Sequence, residues 1–206
     1  MTTLDAADAA AHEPAMRVAI AEAELARGTT GDNPWVGCSI ADADGLVIAR
    51  GHTQGPGEDH AEIVALRHVR ARGIDLSGVT LYSTLEPCSF HGRTPACSHA
   101  IVASGVGRIV TGIRDPNPRV DGLGIQILRA GGLDVIEDIC AREITHQLGA
   151  WIFHHHPHEP MRRARAWFVE LAGSREATLE RACDHYGVDR ALVEPLLTEQ
   201  ALSQTP

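Results

Sequence analysis

Thr84-Leu85-Glu86-Pro87-Cys88-Ser89-Phe90-His91-Gly92-Arg93-Thr94-Pro95-Ala96-Cys97 decides how this chain is read, together with His60-Ala61-Glu62 upstream of it. Between them the two stretches offer the imidazole of His60, the thiols of Cys88 and Cys97, and a carboxyl, Glu62, two residues from that imidazole. One nitrogen and two sulfurs suit Zn²⁺, whose catalytic sites take three protein ligands and leave the fourth position to water. His-Ala-Glu alone is common, and so is Pro-Cys. Their order, and their separation by about 25 residues, carry the signal. A closed structural site would need a fourth ligand at short spacing. Cys38 and Cys140 are remote candidates, and each lies in an apolar run, 36–40 and 135–140, where it reads as a small core residue.

In zinc deaminases a Glu that is not a ligand moves the protons of a metal-activated water, which attacks the ring carbon bearing an exocyclic amine. Glu62 stands at that position. The general pattern closes with Cys-x-x-Cys, whereas here eight residues, 89–96, separate the two cysteines. With that spacing, segment 84–97 resembles the zinc segment of the riboflavin-pathway pyrimidine deaminases, in the cytidine deaminase-like superfamily. Further stretches agree: Asn33-Pro34-Trp35-Val36-Gly37-Cys38, Gly51-His52 ahead of His60, and Asp115-Pro116-Asn117-Pro118 followed by Gly122 and Gly124. The resemblance spans residues 14–150.

The resemblance implies Zn²⁺ held by His60, Cys88 and Cys97, Glu62 as acid–base, and an aminopyrimidine nucleotide as substrate. It also implies substrate contacts: the Asn33 amide against the substrate, Arg93 near the ribose phosphate, Asp115 and Asn117 in the Asp-Pro-Asn-Pro loop, and His52 in the pocket. Blander readings stand beside these. Asn33 reads equally as a turn residue before Pro34, Arg93 as a solvated loop Arg, and Asp115 and Asn117 as ordinary turn chemistry. His52 lies eight positions before His60, one more than the resemblance leads us to expect. Glu86 is expected to support the zinc loop through backbone contacts. Two features depart from the family. Phe90 stands where the family has His, and the residues after Ala150 are too few for the reductase domain that often follows the deaminase. The alternative is therefore a deaminase of the same fold acting on a different small heterocycle in secondary metabolism.

Composition narrows the partners. The chain of 206 residues has a net charge of −9, and all 18 of its basic residues are Arg. Such an acidic balance argues against a broad phosphate-tracking surface and so against a nucleic-acid partner. It leaves room for a small phosphorylated heterocycle bound by one or two local cations. No apolar run reaches the length of ~18 residues that spans a membrane. The first 13 residues contain no basic residue and lack the layout of a secretory signal. A reducing cytoplasm suits thiols that must stay available to a metal.

The periodicities predict a helix over 14–27 behind a frayed segment 1–13, a hairpin of strands 36–41 and 46–51 around Asp42-Ala43-Asp44-Gly45, and a helix over 60–72. A strand over 79–84, a helix over 95–103 and a strand over 108–112 follow. A Pro/Gly loop over 115–124, a helix over 125–130, a strand over 133–137 and a helix over 139–148 complete the pattern. Strands alternating with helices imply an α/β fold, a three-layer α/β/α sandwich on a mixed sheet. The expected division is a deaminase domain over 1–150 and a helical C-terminal extension over 151–206. His154-His155-His156-Pro157-His158 reads as a linker or buried junction, with metal binding the weaker reading. Residues 182–192 faintly resemble a helix-turn-helix, but their charges nearly balance. The helical tail reads better as a packing element for a homodimer or larger homo-oligomer.

Overall fold

The computed structural model describes residues 6–90 and 96–203. They divide into two compact units, one ending at Ala141 and the other beginning at Arg142. The sequence reading put this join at 150/151.

The first unit is built on a five-stranded sheet of order β2-β1-β3-β4-β5. Helix α1 (Ala6–Ala26) leads into β1 (Gly37–Ala41), β2 (Val47–His52) and α2 (Ala61–Ala71). Then come β3 (Thr80–Leu85), α3 (Cys97–Val102), β4 (Arg108–Ile113), α4 (Leu123–Ala130) and β5 (Asp134–Ile136). The β1–β2 hairpin forms where Asp42 predicts it. The Asp42 carboxylate accepts from the backbone N–H groups of Asp44 (3.1 Å) and Leu46 (2.9 Å), which closes the turn locally. Strand β1 runs antiparallel to β2 and β3, whereas β3, β4 and β5 are parallel and joined through α3 and α4. The sheet is therefore mixed.

Side-chain alternation assigns the layers. Ser39 and Tyr82 are register partners and face α1: the Ser39 hydroxyl donates to the Ala15 carbonyl at 2.8 Å, and Tyr82 meets His12 Nδ1 at 3.0 Å. Cys38 and its partner Gly51 face the other way, where a Cβ on Gly51 would lie 2.7 Å from the Ala61 carbonyl oxygen of α2. Helix α3 packs on α2, and α4 on α3, so these three helices form the second outer layer. The core lies on both faces, with Met16, Ile40, Leu66, Leu81, Ile101, Ile109 and Leu128 fully enclosed.

Two expectations at the ends of elements are corrected. Helix α1 begins at Ala6, well before Pro14, which lies inside it. A proline in a helix interior normally costs a hydrogen bond. Here the turns before it are held by tertiary contact, through the His12–Tyr82 bond. The histidine tract does not form a linker either. Helix α5 (Ala141–His155) continues through His154 and His155, and α6 (His158–Glu170) starts directly after Pro157.

The second unit continues with α7 (Arg175–Tyr186), α8 (Arg190–Val193) and α9 (Glu199–Ser203). Tyr186 is its buried centre: its ring lies edge-on to Phe153 at 5.1 Å, and its hydroxyl donates to Glu159. Segment 182–192 is the end of α7, a left-handed Gly187 and a single turn, α8, which is too short for a recognition helix. No described helix is long and apolar enough to cross a membrane.

Candidate active site

The carboxyl ends of β3 and β4 lie side by side, with the Glu86 N–H donating to the Ile113 carbonyl at 2.9 Å. Open α/β sheets bind their ligands beyond such strand ends. Just past β3 the chain runs through Glu86 and Pro87 to Cys88. Cys97 opens α3, and His60 caps the N-terminus of α2. His60, Cys88 and Cys97 converge, with one donor atom from each lying within 4.8 Å of the others; no other such group occurs among the described residues. His60 Nδ1 is 3.8 Å from the Cys88 sulfur and 3.4 Å from that of Cys97. A tetrahedral ion with Zn–S and Zn–N lengths of ordinary size needs nitrogen and sulfur roughly 3.6 Å apart. The donor set fits zinc in both chemistry and spacing.

Local backbone groups prepare these donors. The Cys97 N–H points at the Cys88 sulfur, 3.3 Å away, and the Ser98 N–H donates to the Cys88 carbonyl at 3.2 Å. A helix N-terminus favours negative charge, including thiolate. Cys88 is pushed down to about 4, first by the hydrogen bond from Cys97 and then by His60. Cys97 is pushed up because its thiol makes that bond and lies buried beside Glu62. A cation that takes both sulfurs as thiolates releases the remaining thiol proton. The Cys88 hydrogen bond raises His60.

Glu62 lies in the first turn of α2 and is only 3% exposed. Burial pushes its carboxyl up, against the pull of His60, and its side chain also reaches Cys97. A buried carboxyl with a raised pKa beside a metal-type donor cluster has the properties of a general acid–base.

Glu86 organises the loop. Its carboxylate accepts from the N–H groups of Asp115 (3.3 Å), Gly122 (2.9 Å) and Ile125 (3.2 Å), tying the ends of β3 and β4 to the start of α4. Gly124 is required there, since a Cβ would lie 2.1 Å from the Pro87 carbonyl oxygen. This, with the left-handed φ of 87° at Gly122, explains the Gly122–Gly124 pair in the sequence.

The remaining site residues separate. Asp115 is buried, and burial pushes its carboxyl up to about 7, with the charges of Glu86 and Cys88 adding to it. It accepts from the Asn117 N–H at 2.8 Å, and the Asn117 side chain accepts from the Arg119 N–H at 3.0 Å, so the turn chemistry is present. Asn33 is half-buried in the loop before β1, where its carbonyl accepts from the Thr30 hydroxyl at 2.7 Å. His52 lies with Glu22 of α1, Nδ1 to carboxylate 3.0 Å, on the sheet face opposite the one covered by α2 and α3. Arg93 lies outside the described residues. Cys38 is fully buried, but Cys140 is only half-buried, at a left-handed position (φ 55°), not the core site its apolar run suggests. Arg119, not singled out in the sequence, lies with its guanidinium over the Phe90 ring, 4.2 Å from the centroid. Its signal was an Arg two residues beyond Asn117 in the same Pro-rich turn.

A three-layer sandwich with an imidazole, two thiols and a buried carboxyl at the N-termini of two helices is the architecture of a zinc deaminase domain. The chain belongs to the family described as the cytidine and deoxycytidylate deaminase zinc-binding region, whose family model matches residues 9–113. It is 45% identical over 128 residues to the riboflavin biosynthesis protein RibD of Escherichia coli, covering 62% of this chain and 34% of that protein. It is 36% identical over 160 residues to the RibD protein of Aquifex aeolicus, covering 76% of this chain and 44% of that protein. The chain thus spans less than half the length of these relatives. Among solved structures, a diaminohydroxyphosphoribosylaminopyrimidine deaminase/5-amino-6-(5-phosphoribosylamino)uracil reductase of Thermotoga maritima superposes with a TM-score of 0.65 at 38% identity, over 70% of this chain and 41% of that one.

Proposed function

We propose that this chain is a zinc-dependent hydrolase that removes the exocyclic amine of an aminopyrimidine nucleotide, of the diaminohydroxyphosphoribosylaminopyrimidine type, in riboflavin or related biosynthesis. The observation that carries this reading is the buried Glu62 beside the His60–Cys88–Cys97 cluster, in a chain similar over 62% and 76% of its length to part of two riboflavin biosynthesis proteins. His60 through Nδ1 and Cys88 and Cys97 as thiolates would hold the ion. Zinc, when bound, supplies the Lewis acidity that lets water lose a proton near neutral pH.

Glu62 takes one proton from the attacking water and delivers it to a ring nitrogen; it then takes the remaining hydroxyl proton of the adduct and passes it to the departing amine, leaving a ring carbonyl and ammonia. Its burial supports this cycle, because a carboxyl pushed above its ordinary range holds an accepted proton more readily before returning it. Asn33, Asp115 and Asn117 orient the ring and sugar, and Arg93 takes the phosphate. His52 has no part in this reading, since Glu22 already engages its ring.

Phe90, in place of the family's histidine, favours a second reading: a deaminase of the same fold acting on a different heterocycle. One experiment separates the two. Ammonia release from the phosphoribosylaminopyrimidine is followed with zinc-loaded protein beside Glu62→Gln. Release by the first and not by the second supports the first reading. No release from protein that retains about one zinc per chain transfers the assignment to another heterocycle.

A further inference from the structure

The ladders that hold β1 end short of the segment that carries Asn33. The β1–β3 register stops at Cys38 and Ser83, and the β1–β2 register at Gly37 and His52. Beyond these pairs, threonine hydroxyls take over. Thr84 accepts from the Gly37 N–H at 3.1 Å. Thr53 accepts from the Val36 N–H at 3.2 Å, while its own N–H donates to the Val36 carbonyl at 3.0 Å. Thr30 closes the loop, its hydroxyl donating to the Asn33 carbonyl at 2.7 Å. Thr30, Thr53 and Thr84 are only 1%, 4% and 0% exposed, so these bonds are made out of reach of solvent.

A valine, of the same shape, in place of Thr53 or Thr84 would leave a buried N–H without that partner. Helix α1 closes the other side of the segment, since a Cβ on Gly37 would lie 1.8 Å from the Ala19 carbonyl oxygen. The clamp is built into the strands that lead to the site. Thr84 stands four residues before Cys88, and Thr53 seven before His60. Burial, and then the charge of Glu62, push the Cys38 thiol up, so this end of β1 lies close to the buried carboxyl.

We propose that Thr53 and Thr84 are positioning residues, whose hydroxyls fix the backbone of Val36 and Gly37, and through it Asn33, so that they act on substrate binding and not on the metal. This rests on the reading of Asn33 as a substrate contact in an aminopyrimidine deaminase.

Steady-state deamination of the phosphoribosylaminopyrimidine tests this. Zinc-loaded wild type is compared with Thr53→Val, Thr53→Ser, Thr84→Val, Thr84→Ser, Asn33→Ala and the double variant Thr84→Val/Asn33→Ala. The two threonines are changed separately, so that a variant that fails to fold leaves the other to decide. An unpaired N–H at the clamp predicts a KM higher by about 10-fold in each Val variant, with kcat and zinc content as in wild type. Amide exchange should accelerate at Gly37 in Thr84→Val and at Val36 in Thr53→Val. Ser, which keeps the hydroxyl, should restore both readouts. In the Asn33→Ala background Thr84→Val should add little to KM, because residues that act through one contact are not additive. A KM that stays at the wild-type value while amide exchange accelerates overturns the proposal, as does a full additional rise in the double variant. Both of those results require an active wild type. A zinc-loaded wild type that neither binds nor deaminates the nucleotide overturns the assigned reaction, and this proposal with it.

Discussion

Glu62 and His12 show how burial sets what a single side chain does here. Glu62 is enclosed beside the donor cluster and touches Cys97, so replacing it with Gln keeps the shape and removes the proton carrier. We expect Glu62→Gln to retain zinc and to lose turnover by roughly 10²–10⁴-fold, read by ammonia release beside metal analysis. His12 behaves oppositely. Burial lowers its pKa below 6.5, and the nearby Arg108 charge adds to this. Its neutral ring makes the bond to Tyr82. Because the folded pKa lies below the unfolded one, protonation favours the unfolded segment: the stabilisation is complete above about pH 6.5 and is lost as pH falls below it. Amide exchange in the turns of α1 before Pro14, corrected for intrinsic rates, should accelerate on going from pH 8 to pH 5. The same comparison in Tyr82→Phe should show a weaker pH effect, and equal acceleration in both would show that the bond does not hold the segment.

Among the elements, β2 poses the hazard, since it is an edge strand of the sheet and free carbonyls there invite another strand. Three of its backbone carbonyls are occupied by side chains. Arg72, the C-cap of α2, donates to the Ile48 carbonyl at 2.6 Å, His68 of α2 donates to that of Arg50 at 3.0 Å, and Gln54 donates to that of His52 at 2.8 Å. Helix α2 thus both caps its own strand and presents His60 and Glu62 at its other end. We expect the double variant His68→Ala/Arg72→Ala to bind zinc normally but to self-associate with rising concentration, seen as a growing sedimentation coefficient. A monodisperse variant indistinguishable from wild type would remove this role from the two side chains. Helix α4 is positioned differently, from outside itself: the Glu86 carboxylate receives N–H groups at its start, and Gly124 lets it approach Pro87.

For the molecule as a whole, the donor cluster ties three separated stretches together, namely the start of α2, the end of β3 and the start of α3. A metal that binds only this folded arrangement stabilises it by mass action, by about 4 kcal/mol at a free concentration 1,000 times the dissociation constant. Calorimetry before and after chelation should show the unit ending at Ala141 melting at a lower temperature without zinc and recovering on reconstitution. Replacing Cys88 with Ser should abolish the difference. A melting temperature unmoved by zinc would contradict the site.

The sequence by itself determined the architecture and singled out the candidate reacting groups. Helix and strand periods are local, and an imidazole, two thiols and a carboxyl in this order suit one kind of metal chemistry, so β1 to β5, His60, Glu62, Cys88 and Cys97 were all legible. The tertiary structure decided what depends on distant neighbours. Pro14 falls inside α1 because a tyrosine far along the chain anchors the turns before it. His52 faces Glu22 because strand alternation at the end of β2 turns its ring to the α1 side. Glu86 and Gly124 gain their roles only when β3 and α4 meet. The guanidinium of Arg119 acquires a platform because Ser89 and Asn117, from two different loops, hold it over Phe90. A side chain's chemistry is written in its own letter, whereas its direction and its pKa are set by residues that only folding brings near.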